Sequence, residues 1–403
     1  MTPDARNPLA ADGGTPVRAT FLPVGLPSIG DAEKQAVLET LDSGWVTTGP
    51  RAHELGKRIA AHSGAAHGLA VNSATGALHL ALAAWGIGPG DEVITSTWTF
   101  ASTANVVLHT GATLVLVDVD PKTLNLDPAC VAAAITPRTR AVIAVDFAGH
   151  PADYEALRAL CGKHGLRLLA DSAHAFGARY RGRPVGTLAD ATAFSFYAIK
   201  NITTGEGGCL VTDDADFLAR AQILSLHGIS KDAWKRYASA GSWYYEVTAP
   251  GFKYNLTDLA DALGLAQLDR WPDFDARRTA IAGRYDAALA DLPEVSRPFS
   301  IGDIHHAWHL YTVRLDLARL SVDRARFLEL LKAENIGTTV NFIPVHKHPY
   351  YRDSLGFRPE DFPVAERVYP AIFTLPLYPR MTDADVEDVV TALHKVVQHT
   401  LRR

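Results

Sequence analysis

The stretch Phe194-Ser195-Phe196-Tyr197-Ala198-Ile199-Lys200-Asn201-Ile202-Thr203-Thr204-Gly205-Glu206-Gly207-Gly208 sets a lysine just past a buried apolar run and ahead of a glycine-rich turn. An amine partly desolvated at a sheet edge has a lowered pKa and becomes nucleophilic. Taken alone, Lys200 also reads as a solvated loop lysine. Upstream, Leu168-Leu169-Ala170-Asp171-Ser172-Ala173-His174 puts an acid and a histidine at the C-terminal end of another apolar run, the end at which open α/β sheets bind ligands. Asp171 there is either the counter-charge to a cationic ring nitrogen or a cap on the segment that follows. His174 is either a neighbour of the same site or an ordinary loop histidine. A third stretch, Val71-Asn72-Ser73-Ala74-Thr75-Gly76-Ala77-Leu78-His79, breaks from an apolar run into small and hydroxylic residues before a helical pattern. Free N–H groups and the positive end of a helix make such a junction a phosphate site, to which Thr75 adds a hydroxyl; a plain helix cap has the same composition.

The elements that must position these residues follow an α/β rhythm from about His67 onward, the pattern of a mainly parallel sheet covered by helices on both faces. Strands are expected at 68–71, 92–95, 113–118, 140–145, 167–170, 191–196 and 208–212, with helices at 75–85, 101–109 and 153–164 between them. After Asn255 two long amphipathic helices, 256–270 and 273–291, link to a smaller α+β unit. That unit is expected to hold strands at 309–315 and 337–342 and helices at 323–335 and 383–400. The division is therefore a flexible N-terminal arm over 1–20, a large α/β domain over 21–255, and linking helices with a small C-terminal α+β domain over 256–403.

Composition limits the functions. The 403 residues are 47% hydrophobic, enough for a large core in two domains. With 39 basic and 44 acidic residues the formal charge is −5, which gives no electrostatic footprint for nucleic acid or an anionic membrane. No apolar run is long enough to span a bilayer, and the first twenty residues lack the apolar stretch of a secretory signal, so a cytoplasmic setting is expected. Cys130, Cys161 and Cys209 stand singly, without zinc or disulfide spacing, and read as buried small residues. His305, His306, His309, His346 and His348 cluster late in the chain without the His-Glu-x-x-His spacing of a zinc hydrolase, so no metal site is expected. No G-x-G-x-x-G follows an early strand, which argues against a nicotinamide reductase.

A phosphate cup at a strand-to-helix junction, an acid at a strand end and a lysine after a later strand, in that order, are the parts of a pyridoxal phosphate site. The sequence resembles the DegT/StrS-type family of nucleotide-sugar aminotransferases from about Leu22 to the C-terminus. The resemblance is carried by Ser43-Gly44-Trp45-Val46-Thr47-Thr48-Gly49-Pro50, Gly90-Asp91-Glu92-Val93-Ile94, Asp171-Ser172-Ala173-His174, the Lys200 segment and Pro250-Gly251-Phe252-Lys253-Tyr254-Asn255-Leu256-Thr257-Asp258. Within the family it is most similar to the UDP-4-amino-4-deoxy-L-arabinose synthase branch, through Ala198-Ile199-Lys200-Asn201-Ile202-Thr203, the 253–258 run and His306-Ala307-Trp308-His309-Leu310.

The resemblance implies the aspartate aminotransferase-like fold (fold type I), pyridoxal 5′-phosphate with pyridoxamine 5′-phosphate as its second form, and transfer of an amino group from L-glutamate to a keto sugar nucleotide, with C4 the expected position. It makes Lys200 the lysine that bonds the cofactor, Asp171 the partner of its ring nitrogen and His174 a neighbour of its hydroxyl. Thr75, the Gly76 backbone and Ser195 become phosphate contacts, and Phe100 the aromatic over the ring, with Trp98 as the substitute if the loop register differs. Asn255 becomes a phosphate contact reaching into a neighbouring subunit, hence a homodimer with shared active sites. His309 and His346 are candidates to approach the sugar diphosphate. A sugar dehydratase on the same fold carries histidine at the lysine position, and Lys200 argues against it; a noncatalytic binding homologue remains the other alternative.

Overall fold

Neighbouring residues in the central strands serve two different cores. Val93, Ile143 and Leu169 pack into one apolar cluster, while Ile94, Val142 and Leu168 pack into another on the opposite face. That alternation is what a sheet covered by helices on both sides requires. The computed structural model describes residues 8–230, 244–300 and 302–402.

The strands are β1 (His67–Val71), β2 (Glu92–Ser96), β3 (Thr113–Val117), β4 (Thr139–Val145), β5 (Arg167–Asp171), β6 (Arg179–Tyr180), β7 (Arg183–Pro184), β8 (Ala191–Ser195) and β9 (Gly208–Thr212). Toward the C-terminus come β10 (Val295–Ser296), β11 (Ile304–His305), β12 (Tyr311–Leu315) and β13 (Ile372–Leu375). Seven of them form the main sheet in the order β1-β9-β8-β5-β4-β2-β3. Every pair from β3 to β8 is parallel, and β9 runs antiparallel to both its neighbours. The C-terminal ends of β1, β5 and β8 therefore lie along one edge of the sheet. Register ties them together, since Gly208 of β9 pairs with both Val71 and Ser195, and Asp171 pairs with Ala193. Gly208 must be a glycine: a Cβ there would lie 2.6 Å from the Ala74 nitrogen and from the Phe194 oxygen.

The C-terminal unit is built on a three-stranded sheet in the order β10-β12-β13, covered by the helices Arg324–Ala333 and Asp383–Thr400. Its core also takes Ile281 and Tyr285 from the long helix Trp271–Ala288. Two expectations differ from the structure. The segment 337–342 forms no strand. It makes a single bridge, Thr339 to Thr374, then leaves the sheet, with the Thr374 hydroxyl donating to Asn341 Oδ1 instead of a continued ladder. Nor are residues 8–20 a loose arm: Leu9 is buried in the C-terminal core, the Ala10 and Val17 N–H groups donate to Glu334, and Arg18 pairs with Asp385 and Asp388. Residues 1–7 of the expected arm lie outside the described residues. Cys161 and Cys209 are buried and Cys130 is partly exposed; all three are free thiols.

Candidate active site

The helix Ala74–Ala84 starts where β1 ends, capped by Ser73, whose Oγ accepts the Gly76 N–H at 3.0 Å. The Gly76 amide is thus spent inside the cap, and Gly76 is absent from the cavity wall. Ser73, Ala74 and Thr75 do line the cavity, at the first turn of a helix, where N–H groups have no intrahelical acceptor. Ser195, at the end of β8, lines it too. The cavity is about 490 Å³ and also receives Phe100, Asp171, His174, Lys200, His309 and Phe342.

Asp171 is buried at the end of β5. Burial pushes its carboxyl up; the Thr103 hydroxyl, the Ala173 N–H and the Lys200 charge act against that. Thr103 Oγ1 donates to Oδ2 at 2.6 Å and Ala173 N–H to Oδ1 at 3.2 Å. The Thr103 proton being spent on Asp171, Thr99, 2.7 Å from Thr103, must donate to it. Asp171 is therefore no helix cap: its carboxyl, pushed up by burial, is held from behind by Thr103 and Ala173 and faces the cavity.

Lys200 is half-buried, and its Nζ lies 3.5 Å from His309 Nε2. Desolvation lowers its pKa to about 7, against the opposing pull of Asp171. His174 accepts the Ala148 N–H on Nδ1 at 3.2 Å, which leaves its proton on Nε2, and burial with the nearby Lys200 charge holds the ring neutral. Ala148 delivers that N–H from a left-handed backbone, φ 61°, a conformation that costs a non-glycine residue about 1–3 kcal/mol. His174 stacks on Phe342 with ring centroids 5.6 Å apart and tilts against His309 at 4.5 Å.

Of the five late histidines only His309 reaches the cavity. Its backbone is fixed by Arg278, a buried guanidinium that donates to the carbonyls of Trp308 and Leu377 at 3.1 and 3.2 Å and, at 3.5 Å, to that of His309 itself. His346 bonds Thr97 and Glu366, His305 pairs with Asp275, and His306 stacks on Trp308. Among the described residues no group of three or more His, Cys, Asp or Glu side chains is placed to hold a metal ion, and no helix is long and apolar enough to cross a membrane. Phe100 stands on the cavity wall, 62% exposed, whereas Trp98 is fully buried against Phe147. Asn255 lies off this cavity, with its Nδ2 on Thr48 Oγ1 at 2.5 Å. Sequence reasoning missed Thr99, Thr103, Arg278, Asn341 and Phe342. Only Thr103 left a signal, a hydroxyl one helical turn beyond Phe100.

The donor set suits pyridoxal phosphate. A helix start with free N–H groups and two hydroxyls meets a phosphate, a buried carboxyl facing the cavity meets a ring N–H, and a lysine with a depressed pKa meets an aldehyde. The chain matches the DegT/DnrJ/EryC1/StrS aminotransferase family over residues 27–394. It is 53% identical to the spore coat polysaccharide biosynthesis protein SpsC of Bacillus subtilis over 382 residues, 94% of this chain and 98% of the relative. In structure it is similar to the putative sugar aminotransferase Spr1654 of Streptococcus pneumoniae in its PMP form, at 34% identity and a TM-score of 0.89, covering 94% of this chain and 100% of that one. The PLP form of that protein aligns with the same TM-score. DesI, solved in the presence of its TDP-sugar product, aligns at 35% identity and a TM-score of 0.86 over 97% of this chain and 96% of its own. The chain belongs to the DegT/DnrJ/EryC1/StrS aminotransferase family, as a fold-type-I, pyridoxal-phosphate-dependent aminotransferase.

Proposed function

We propose that the enzyme moves an amino group from L-glutamate to the ketone of a sugar nucleotide, at C4, releasing 2-oxoglutarate and an amino sugar nucleotide. The observation that carries this reading is Lys200, an amine with a pKa brought down to about 7 on the wall of a cavity that Asp171, bonded from behind by Thr103, also lines. Sugar chemistry is supported by the relatives, one named for polysaccharide biosynthesis, one a putative sugar aminotransferase and one crystallised with a TDP-sugar. L-Glutamate as donor and C4 as acceptor rest on the family resemblance of the sequence motifs.

Bound pyridoxal phosphate supplies an electron sink that lets an amino group leave one carbon and join another. The chain's part is to hold, orient and move protons. Thr75, Ser195 and the first turn of the Ala74–Ala84 helix take the phosphate, Asp171 keeps the ring nitrogen protonated, and the His174 Nε2–H is offered to the ring hydroxyl. Phe100 covers the ring. Lys200, once free, takes the proton from the α-carbon of the donor and later returns one to the carbon of the acceptor; an amine with a pKa near neutrality is suited to both directions. His309, 3.5 Å away, is neutral by burial and so does not compete for positive charge.

Two observations favour a homodimer with shared sites. Phe100, Tyr197 and Ile199 line the cavity yet stand 62%, 47% and 37% exposed in the single chain, and Asn255, bonded to Thr48 and Lys253, lies away from its own cavity. The test is the visible absorbance of protein loaded with pyridoxal phosphate, before and after L-glutamate, followed by a panel of keto sugar nucleotides. Conversion of the cofactor band by glutamate and its return with a 4-keto substrate is the expected result. A loaded protein that ignores glutamate would overturn the donor, and one that protonates or dehydrates the sugar without transferring nitrogen would favour the dehydratase alternative.

A further inference from the structure

A second cavity, of about 210 Å³, shares no lining residue with the first. It backs onto the same turn, since Phe147 and Ala148 line it and the Ala148 N–H is the one that sets the His174 tautomer. Lys122, Arg297 and Arg314 line it, and among the described residues no carboxylate does. Arg314 is held in place by donating to the carbonyls of Pro121 and Lys122 at 2.6 and 3.0 Å. The nearby Asp120, whose charge acts on both Arg314 and His150, accepts on Oδ1 the N–H groups of Lys122 and Thr123 and the Thr123 hydroxyl.

Two buried histidines complete the lining. His150 is 3% exposed; its Nδ1 lies 2.8 Å from the Pro151 carbonyl and must carry the proton, so Nε2 presents a lone pair, and that buried atom has no partner among the described residues. His306 is 5% exposed and accepts the Trp308 N–H on Nδ1 at 2.9 Å, so its Nε2 carries the proton. Burial holds both rings neutral. The cavity thus offers one buried acceptor, one donor and a set of cations that includes the exposed Lys122 and Arg297. A bare ionised anion satisfies the cations but has no proton for His150. A neutral polyol satisfies the histidines and leaves the cations unpaired. The volume is below the roughly 300–1,000 Å³ of an ordinary ligand site, which limits the occupant to one small hydroxylated body with its charged group at the surface.

We propose that this cavity is a second ligand site for a monosaccharide phosphate, a ring hydroxyl bonding His150 and His306 and the phosphate pairing with Lys122, Arg297 and Arg314. Phe299, with the Lys122 ammonium 5.3 Å over its ring, supplies an apolar face for the sugar. The site lies outside the aminotransferase reaction and does not depend on which sugar nucleotide that reaction uses.

Calorimetric titration of the cofactor-loaded enzyme with glucose 1-phosphate, inorganic phosphate and glucose tests it, together with the double variant Lys122→Ala, Arg297→Ala. Both substituted side chains are exposed, and a thermal melt together with an unchanged glutamate half-reaction confirms that the variant is folded and loaded. The expected result is saturable binding of glucose 1-phosphate by the wild type, weakened about tenfold or more in the double variant. Inorganic phosphate and glucose should each bind at least about tenfold more weakly than glucose 1-phosphate. No binding by the wild type, or equal affinity in wild type and variant, overturns the site. Inorganic phosphate binding as tightly as glucose 1-phosphate overturns the sugar as its ligand.

Discussion

Two lysines of this chain stand near a carboxylate, Lys395 buried and Lys200 half-buried, and their surroundings differ. Lys395, in the C-terminal unit, has a side chain 3% exposed and an Nζ 2.9 Å from each Glu334 oxygen, with the Thr15 carbonyl at 3.0 Å. Glu334 in turn accepts the N–H groups of Ala10 and Val17. Every charge there is met, and the result is a clamp that ties the N-terminal segment to the C-terminal core. Lys200 lines a cavity together with Asp171, but that carboxylate is bonded to Thr103 and Ala173, and among the described residues the amine has only His309 at 3.5 Å. Charges that satisfy one another stabilise a fold, whereas charges satisfied from behind and left open in front are available for chemistry.

Removing the two amines should therefore give opposite profiles. Lys200→Ala is expected to lower turnover about a thousandfold or more, with a melting temperature no lower than wild type, because a desolvated amine with one weak partner contributes nothing to stability. Retained turnover would refute the assignment of Lys200. Lys395→Met leaves Glu334 buried and unpaired, and should cost about 3–5 kcal/mol in denaturant unfolding while the folded fraction keeps its turnover. Adding Glu334→Leu should recover most of that loss. A recovery that fails would mean that the two amide bonds from Ala10 and Val17, rather than the ion pair, hold the segment.

The contrast has a pH signature. Capture of an aldehyde needs the neutral amine, and the Lys200 pKa is lowered from 10.5 to about 7. Above that value the amine is mostly neutral, and below it each unit of pH removes about nine-tenths of the reactive form. The rate of cofactor uptake by the empty enzyme should thus level off above about pH 8 and fall about fiftyfold between pH 7 and pH 5. A rate still climbing at pH 9 would show an ordinary lysine.

The sequence carried the active-site parts whose identity is set by chain-local pattern. Asp171 and Ser195 each end a strand and Lys200, His174 and Thr75 each follow one, and hydrophobic runs mark strand ends well, so all five come together at one sheet edge as expected. Gly76 was legible as a phosphate-cup residue by motif but not as an amide already consumed by Ser73, which is a matter of cap geometry. The choice between Phe100 and Trp98 likewise needed burial, since both lie in one short loop and only packing against Phe147 puts Trp98 in the core. The segment 337–342 has strand composition, yet its β-propensity yields to tertiary contacts that turn Thr339, Asn341 and Phe342 to the cavity. Arg278 gave no signal at all, because what makes it important is a set of carbonyls roughly 30 and 100 residues away in the chain.

The smallest expected effect tests how Asp171 is held open. Two aspartates end adjacent strands here. Asp146 accepts from the Ala152 N–H at 2.8 Å, the Tyr154 hydroxyl at 2.9 Å and the Ser172 hydroxyl at 2.5 Å, facing only protein, and burial carries its carboxyl up to about 7. Asp171 has fewer donors and keeps one side to the cavity, so its ionisation depends more on each of them. Thr103→Val keeps the side-chain volume and deletes the hydroxyl that donates at 2.6 Å. The loss of one charge-assisted bond should raise the Asp171 pKa, weaken its hold on the ring proton and lower turnover about tenfold, with cofactor still bound. Thr103→Ser restores a donor at the same place and should return most of the rate. If Thr103→Val and Thr103→Ser lose rate equally, the effect is one of packing in the helix Ala101–His109, and the carboxylate is held by Ala173 and the cavity alone.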